Sequence, residues 1–398
     1  MNEPHASLIA DEVALPAAVI RKPALDHNLA WMQAFADAHG LSLAPHGKTT
    51  MSPELMSLQI AAGAWGMTAA HPLHARLYAE WEIGRIIIAN QVVGRRSLET
   101  LAGVLADFPA AEVHCLVDSI AGVDALAQAL EGAPGAGRLK VLIEIGDSGQ
   151  RAGVRSAGEA LAVAAAAAAA PALRLAGVEI FEGVHAHSDA SGAHLARFAE
   201  AVRAIDAAGL FESDEVIVSA GGSLFFDQAA RTMLAAASTT RPLRPVLRSG
   251  CYLTHDHGMY AAGFAGIAAR GLVNLPKGGL QPALEVWAHI QSRPESGQAI
   301  AALGKRHISS DAGLPVPLWH VRPGRDAAPR ALEGVTTERL FDQHACLIVP
   351  PACDLAFGDL IGFGISHPCT TFDKWRRLHL VDAAYRVVGG VSTHFGIA

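Results

Sequence analysis

The sequence predicts an α/β fold in which a (β/α)8 barrel of the TIM type is followed by a mostly β C-terminal domain. From residue 25 onward, eight short apolar runs alternate with helix-period stretches, which is the pattern of parallel βα units. The eight repeats cover about 240 residues, which matches the size of one closed barrel. The runs are 41–44, 65–69, 85–89, 112–117, 140–145, 175–181, 215–220 and 245–248.

The sequence pattern changes after residue 270. Short β-like segments with intervening Pro and Gly follow, at 283–290, 345–349 and 378–381. We therefore predict a barrel over 25–270 and a β domain over 271–398, with the strand-like segment 17–20 pairing with the second domain. An open, doubly wound sheet is the competing topology, although no Gly-rich dinucleotide fingerprint follows the first strand.

Composition excludes several classes of protein. The 398 residues are 51% hydrophobic, which is too apolar for a disordered chain, and the formal charge of -7 leaves no basic surplus for a nucleic-acid backbone. The alanine-rich run 160–170 ends at Pro171, short of the ~20 residues that span a bilayer. With no secretory signal visible, we expect a cytoplasmic protein with a small-molecule substrate and no nucleic-acid or membrane partner. Five scattered cysteines argue against a disulfide scaffold.

One lysine is placed for covalent chemistry. Of six lysines, only Lys48, in the segment 45–50 (PHGKTT), lies just past the carboxyl end of a predicted barrel strand. Active sites of such barrels lie at that end. Partial burial and nearby cations would lower the pKa of its amine and suit it to a Schiff base, whereas a solvated rim lysine is the alternative interpretation.

Two glycine-bearing turns follow the seventh and eighth predicted strands. Segment 219–223 reads SAGGS and segment 248–252 reads RSGCY. Exposed amides at such turns can form an anion-binding nest, and barrels commonly bind phosphate in these loops. A rim lysine opposite a phosphate nest is the minimum arrangement for pyridoxal 5'-phosphate.

Three pairs of potential metal ligands are spaced two residues apart. They are His185/His187, His255/His257 and His367/Cys369. In an extended segment, such residues point to the same side and could converge on one ion. For the two histidine pairs, hydrogen bonding at the barrel rim is an equally good interpretation.

The pair His367 and Cys369 is the stronger metal candidate. Pro368 favours an extended backbone at His367, and imidazole with thiolate suits zinc. No second pair with this spacing stands nearby, so open coordination positions would remain, as in a catalytic metal site. A buried cysteine beside a surface histidine is the alternative.

Together these residues resemble the D-serine dehydratase and D-threonine aldolase family of fold-type III pyridoxal-phosphate enzymes, which is related to alanine racemase. The resemblance runs through nearly the whole chain. Its segments are 45–49 (PHGKT), 89–93 (ANQVV), 146–153 with Arg151, 220–223 (AGGS) and 364–369 (GISHPC).

The resemblance implies a cofactor lysine at Lys48, a divalent metal beside the cofactor and a homodimer. His367 and Cys369 look like the metal pair of the dehydratase branch, with zinc preferred over manganese or magnesium, and Arg151 matches an arginine that contacts the pyridoxal ring. The residues expected to bind the phosphate through backbone amides are Gly221, Gly222, Gly250 and Cys251, and Ser223 and Tyr252 are also expected to bind the cofactor. Those expected to line the substrate pocket are His185, His187, His344, Asn90 and Gln91.

Two positions depart from the family pattern. Phe181 stands where many members have a tyrosine, and Gln343 stands before His344 where an acidic residue is expected. Both departures bear on the substrate rather than the cofactor. The resemblance thus implies a pyridoxal-phosphate- and metal-dependent dehydratase that converts a D-β-hydroxy amino acid such as D-serine to a keto acid and ammonia.

Three other functions stay open at this point. An aldolase of the D-threonine type would release glycine and an aldehyde. A racemase would need a second base across the ring from the lysine, and none of the four tyrosines has a suitable motif. A cofactor carrier without catalysis would have no use for the second domain or for the His-x-Cys pair.

Overall fold

Two sheets organise the chain in the computed structural model, which describes residues 5–184, 188–235 and 240–396, without the side chains of 184 and 188–191. The strands are β1 (Ala17–Arg21), β2 (Ser42–Leu43), β3 (Met67–Ala69), β4 (Arg85–Gln91), β5 (Glu112–Val117), β6 (Leu139–Ile145), β7 (Leu173–Ile180), β8 (Val216–Ala220), β9 (Leu243–Leu247), β10 (Leu284–Glu295), β11 (Gln298–Ala301), β12 (Val316–Val321), β13 (Arg330–Ala331), β14 (Thr336–Leu340), β15 (Ala345–Ile348), β16 (Leu360–Gly364), β17 (Arg377–Val381) and β18 (Val387–Ser392). The helices are α1 (Lys22–Ala38), α2 (Pro53–Ala61), α3 (Pro72–Glu80), α4 (Arg95–Asp107), α5 (Ile120–Leu130), α6 (Ala157–Ala168), α7 (Ser188–Ala207), α8 (Phe226–Ala235), α9 (Met259–Arg270) and α10 (Cys369–Phe372).

Strands β2 to β9 form the predicted barrel. They pair in parallel in the order β2-β9-β8-β7-β6-β5-β4-β3. A parallel bridge between His46 and Thr68 joins the two edges, and the Thr68 amide donates to the Pro45 carbonyl at 2.8 Å. Each predicted run overlaps one of these strands. The predicted fold class is confirmed, and the open doubly wound sheet was the wrong alternative.

The barrel strands are mostly apolar on both faces because both faces are buried. Small and branched side chains fill the interior, and a larger apolar layer lies between the strands and the helices. The interior residues are Ala44, Ile87, Leu116, Leu142, Ala176, Ile217 and Val246. Interior packing of this kind closes the barrel and leaves chemistry to the strand ends.

Several helices begin at a serine that the sequence places before a helical stretch. The hydroxyls of Ser52, Ser119 and Ser156 accept hydrogen bonds from backbone amides three residues later, at 3.4, 3.2 and 3.2 Å. These N-caps satisfy amides that have no partner within the helix. They fix where α2, α5 and α6 begin relative to the barrel rim.

The second sheet contains β1, which lies antiparallel to β10 and parallel to β17. Its main path runs in the order β13-β12-β16-β10-β1-β17-β18. The segment after β16 reaches the barrel, where the His257 amide donates to the Ile365 carbonyl at 2.9 Å. This contact brings the His367 and Cys369 segment to the loop that follows β9. In the described part of the chain, no helix is long and apolar enough to cross a membrane.

Candidate active site

Lys48 lies where the sequence predicts it, at the carboxyl end of the first barrel strand. It is the middle residue of a short 3-10 turn, Gly47–Thr49, that follows β2. The neighbouring loop after β9 packs against this turn. A Cβ atom at Gly250 would lie 2.7 Å from the His46 carbonyl oxygen and 2.9 Å from Thr49 Oγ1, so this close approach requires glycine.

The electrostatics around Lys48 shift its amine toward the neutral form. Its side chain reaches solvent, but the surrounding protein desolvates the ammonium and lowers its pKa. Arg151 and Arg248 lower that pKa further, while the thiols of Cys369 and Cys251 oppose the change. Lysines tuned in this way can act as nucleophiles and bases.

A buried polar layer lies among the strand ends beneath Lys48. Arg248, just after β9, pairs with Glu179 on β7 and donates to Ser219 Oγ on β8 at 3.0 Å. Both charged side chains are almost fully buried. Gln91 donates to Glu144 Oε2 on β6, and burial raises the pKa of Glu144.

The predicted substrate-pocket residues lie in different parts of the structure. Gln91 joins the polar layer, and exposed Asn90 makes a 3.5 Å contact with the Ala70 carbonyl. His344 is exposed in the turn between β14 and β15, and no hydrogen bond or ion pair joins it to the Lys48 region in the described residues. His185 and His187 lie outside the described residues.

Two of the predicted phosphate amides already have an acceptor. The amides of Gly221 and Gly222 donate to the Glu182 carboxylate at 3.0 and 2.7 Å. Glu182 is fully buried, and this burial raises its pKa while the two amide bonds oppose the rise. A phosphate could meet these amides only if Glu182 moved away.

The remaining predicted cofactor contacts offer other donors. The amides of Ser223 and Gly250 form no hydrogen bond to an acceptor among the described residues. The Tyr252 hydroxyl, by contrast, accepts a bond from Gln59 at 3.0 Å within the packed wall of the barrel. Arg151 is exposed, and its guanidinium lies 5.1 Å from the centre of the Phe181 ring.

The His367 and Cys369 segment meets the lysine loop. Cys369 Sγ lies 3.5 Å from Thr49 Oγ1 and 3.7 Å from Cys251 Sγ. His367 Nδ1 hydrogen-bonds to Asp311 Oδ2 at 2.7 Å. Pro368 has helical dihedral angles and Cys369 begins α10, so a helical turn, rather than an extended strand, brings this pair together.

The protonation states of Cys369 and His367 favour an ion pair between these two side chains. Hydrogen bonds from Cys251 and then His367 lower the pKa of Cys369, although its burial acts in the opposite direction. The Cys369 thiolate and Asp311 in turn raise the pKa of His367 to about 9. A metal would have to displace the imidazole proton. In the described ranges, no group of three or more His, Cys, Asp or Glu side chains is already arranged as a metal centre.

The pair His255 and His257 is engaged locally. His255 has a positive φ of 48°, so its segment is not extended, and its Nδ1 accepts a hydrogen bond from the Asp256 amide at 2.8 Å. Burial lowers the pKa of His257 to about 4. These observations match hydrogen-bonding rim histidines better than a two-histidine metal site.

Sequence reasoning missed several residues of the site. Arg248 and Glu179 had a signal, because charged residues in buried strand segments need partners. Asp311 lies 56 residues before its histidine partner, and Glu182 binds glycines about 40 residues later. The ring of Tyr260 lies 6.2 Å from that of His367. For these three, no local pattern marks the contact.

The structure combines a barrel that carries an accessible lysine after its first strand with a His-x-Cys segment from a second β domain. This combination indicates the class of protein to which the chain belongs. The chain belongs to the alanine racemase N-terminal domain family, whose model matches residues 20–240. A second model, described as a putative serine dehydratase domain, matches residues 283–381. The resemblance to fold-type III pyridoxal-phosphate enzymes is therefore confirmed.

Known relatives cover nearly the whole chain. A D-threonine aldolase from Arthrobacter sp. is 27% identical over 369 residues, which is 91% of this chain and 87% of the aldolase. The crystal structure of a D-threonine aldolase from Filomicrobium marinum matches with a TM-score of 0.79 and 27% identity, covering 98% and 97% of the two chains. A D-threo-3-hydroxyaspartate dehydratase from Delftia sp. HT23 matches with a TM-score of 0.74, covering 98% and 99%. At 23% identity, this last match shows the shared fold.

Proposed function

We propose that this protein is a pyridoxal-phosphate- and divalent-metal-dependent lyase that acts on D-β-hydroxy amino acids. The observation that carries the proposal is the 3.5 Å contact between Thr49 and Cys369. These residues are 320 positions apart in the chain. Their contact places the His-x-Cys segment beside the lysine on which the cofactor would be held.

The residues around Lys48 fit the cofactor. The accessible amine with a lowered pKa suits an aldehyde, and Ser223 and Gly250 offer backbone amides to a phosphate. His46 Nδ1 is a buried polar atom without a hydrogen-bond partner, as expected beside a ligand site. When bound, pyridoxal 5'-phosphate supplies an electron sink that acidifies the α-proton of an attached amino acid.

Different residues of the chain then serve in proton transfer and in binding. The Lys48 amine takes the substrate α-proton as a base, and its lowered pKa increases the fraction of the amine that is neutral. Arg151 is exposed and forms no ion pair in the described residues, so it can meet the cofactor ring or a substrate carboxylate. Arg248 stays within the buried layer and favours anionic groups above it.

The donor set at His367 and Cys369 also fits a metal. Imidazole and thiolate favour zinc, and the Asp311 carboxylate holds His367 Nδ1 in the way that outer-sphere carboxylates orient metal-bound histidines. His367 and Cys369 would hold the ion, which would polarise the β-hydroxyl as a Lewis acid and assist its departure.

Two reactions are compatible with this site. Elimination of the β-hydroxyl would give a keto acid and ammonia, whereas retro-aldol cleavage would give glycine and an aldehyde. The thiolate of Cys369 favours elimination in our interpretation. The D-threonine aldolases among the relatives favour cleavage.

The test is a panel of D-β-hydroxy amino acids, including D-serine, D-threonine and 3-hydroxy-D-aspartate, offered to the metal-loaded holoenzyme. We expect equal amounts of ammonia and keto acid, and loss of both after chelation. Glycine with an aldehyde would replace the dehydratase assignment with the aldolase. A racemised substrate, or no product from any member, would contradict the lyase.

A further inference from the structure

We propose that Cys251 is a third protein ligand of the metal, so that this chain binds its ion through two thiolates and one imidazole. The inference rests on the metal proposed for His367 and Cys369. It adds a residue from the barrel, on the loop after β9, to a pair from the second domain. The ion would therefore join the two domains directly at the active site.

The distance between the two sulfur atoms supports this assignment. Cys251 Sγ and Cys369 Sγ lie 3.7 Å apart. Two thiolates bound about 2.3 Å from a tetrahedral zinc are separated by about 3.8 Å. A disulfide would require about 2.05 Å, and both cysteines are free thiols. The separation of the two sulfurs thus matches one edge of a zinc tetrahedron.

The surroundings of the two sulfurs contain one further candidate ligand, His367, which contacts Cys369. Cys251 is 5% exposed, so its sulfur is directed into the protein cluster rather than to solvent. Thr49 Oγ1 lies 3.5 Å from Cys369 Sγ, and Asp311 hydrogen-bonds to Nδ1 of His367. The three donors do not form a finished centre by themselves in the described residues. The ion would complete it, since metal binding and site ordering are coupled.

A second thiolate ligand would determine which metals the site prefers. Soft sulfur ligands select zinc and its thiophilic analogues cobalt and cadmium, whereas magnesium and manganese prefer oxygen ligands. With one neutral imidazole and two thiolates, the zinc and its three protein ligands together would carry no net charge. One coordination position stays open for the β-hydroxyl in a tetrahedral site.

The first test is zinc X-ray absorption on the wild-type holoenzyme, which counts sulfur neighbours without relying on activity or on a variant. Two sulfurs at about 2.3 Å are expected. One sulfur would overturn the role of Cys251 and leave the proposed pair intact. Zinc without sulfur neighbours, or no bound zinc, would overturn both this inference and the metal of the proposed function.

The second test compares C251S with C353S as a matched control. Cys353 lies in the second domain, and its carbonyl contacts Arg293 rather than the cluster. C251S should show one sulfur neighbour, bind zinc at least about 10- to 100-fold more weakly, and lose part of its preference for zinc over manganese. C353S should match the wild type. Unchanged zinc affinity and sulfur count in folded C251S would overturn the inference.

Discussion

Both ends of the barrel hold charged residues, but the two ends arrange them differently. At the amino end, Lys140 pairs with Glu112 at 2.6 Å, and Arg244 pairs with Glu215 at 2.5 Å. At the carboxyl end, Lys48 and Arg151 form no ion pair with any described residue. Paired cations are neutralised within the protein, whereas unpaired ones are available to an anionic ligand. The difference locates chemistry at the carboxyl end.

We expect the largest effect on turnover from Lys48, which has no ion-pair partner among the described residues. Lys48→Ala should reduce turnover by about 10²–10⁴-fold or more, because it removes both the attachment point and the base. Borohydride should fix the cofactor to wild-type enzyme, and peptide mapping should find it on Lys48. The control is Lys140→Ala at the opposite end, which should keep most of the activity. Cofactor fixed to another lysine would contradict the assignment of the site.

The barrel was predictable because it depends on local patterns. Apolar runs such as 112–117 coincide with strands, since strands buried on both faces are largely apolar. Lys48 was predictable because it lies only five residues after the end of its strand. The contact between Cys251 and Cys369 was not, because it joins residues 118 positions apart. Nor was Glu182 at Gly221, where a carboxylate stands where a phosphate was expected.

A second prediction compares buried and exposed ion pairs. Glu179→Ala should lower the free energy of unfolding by about 3–5 kcal/mol, because it leaves the Arg248 cation buried without its partner. Glu215→Ala at the amino end removes a pair that is about one-third exposed, and should cost about 0–1 kcal/mol. Urea denaturation of both variants measures the difference. Equal losses would mean that the carboxyl-end pair is effectively solvated.

The smallest expected effect concerns His114, a buried histidine near the amino end. Burial lowers its pKa from 6.5 to about 4, and both ring nitrogens lack a hydrogen-bond partner. Glu112 Oε1 lies 3.4 Å from Nε2 and only partly opposes the shift. The folded state therefore keeps His114 neutral at pH values where the unfolded chain binds a proton.

The sign of the pH dependence follows from this difference. Because the pKa is lower in the folded state, the stability contributed by neutral His114 is present above about pH 6.5 and is lost as the pH falls toward 4. At pH 5 the loss is about 2 kcal/mol relative to pH 7. His114→Leu removes the titrating group, so its free energy of unfolding should fall less between pH 7 and pH 5 than that of the wild type.

The matched control is His344→Ala, an exposed histidine of the second domain. Equal falls for His114→Leu and the wild type, measured by urea denaturation at each pH, would show that the amino end admits enough water to protonate His114.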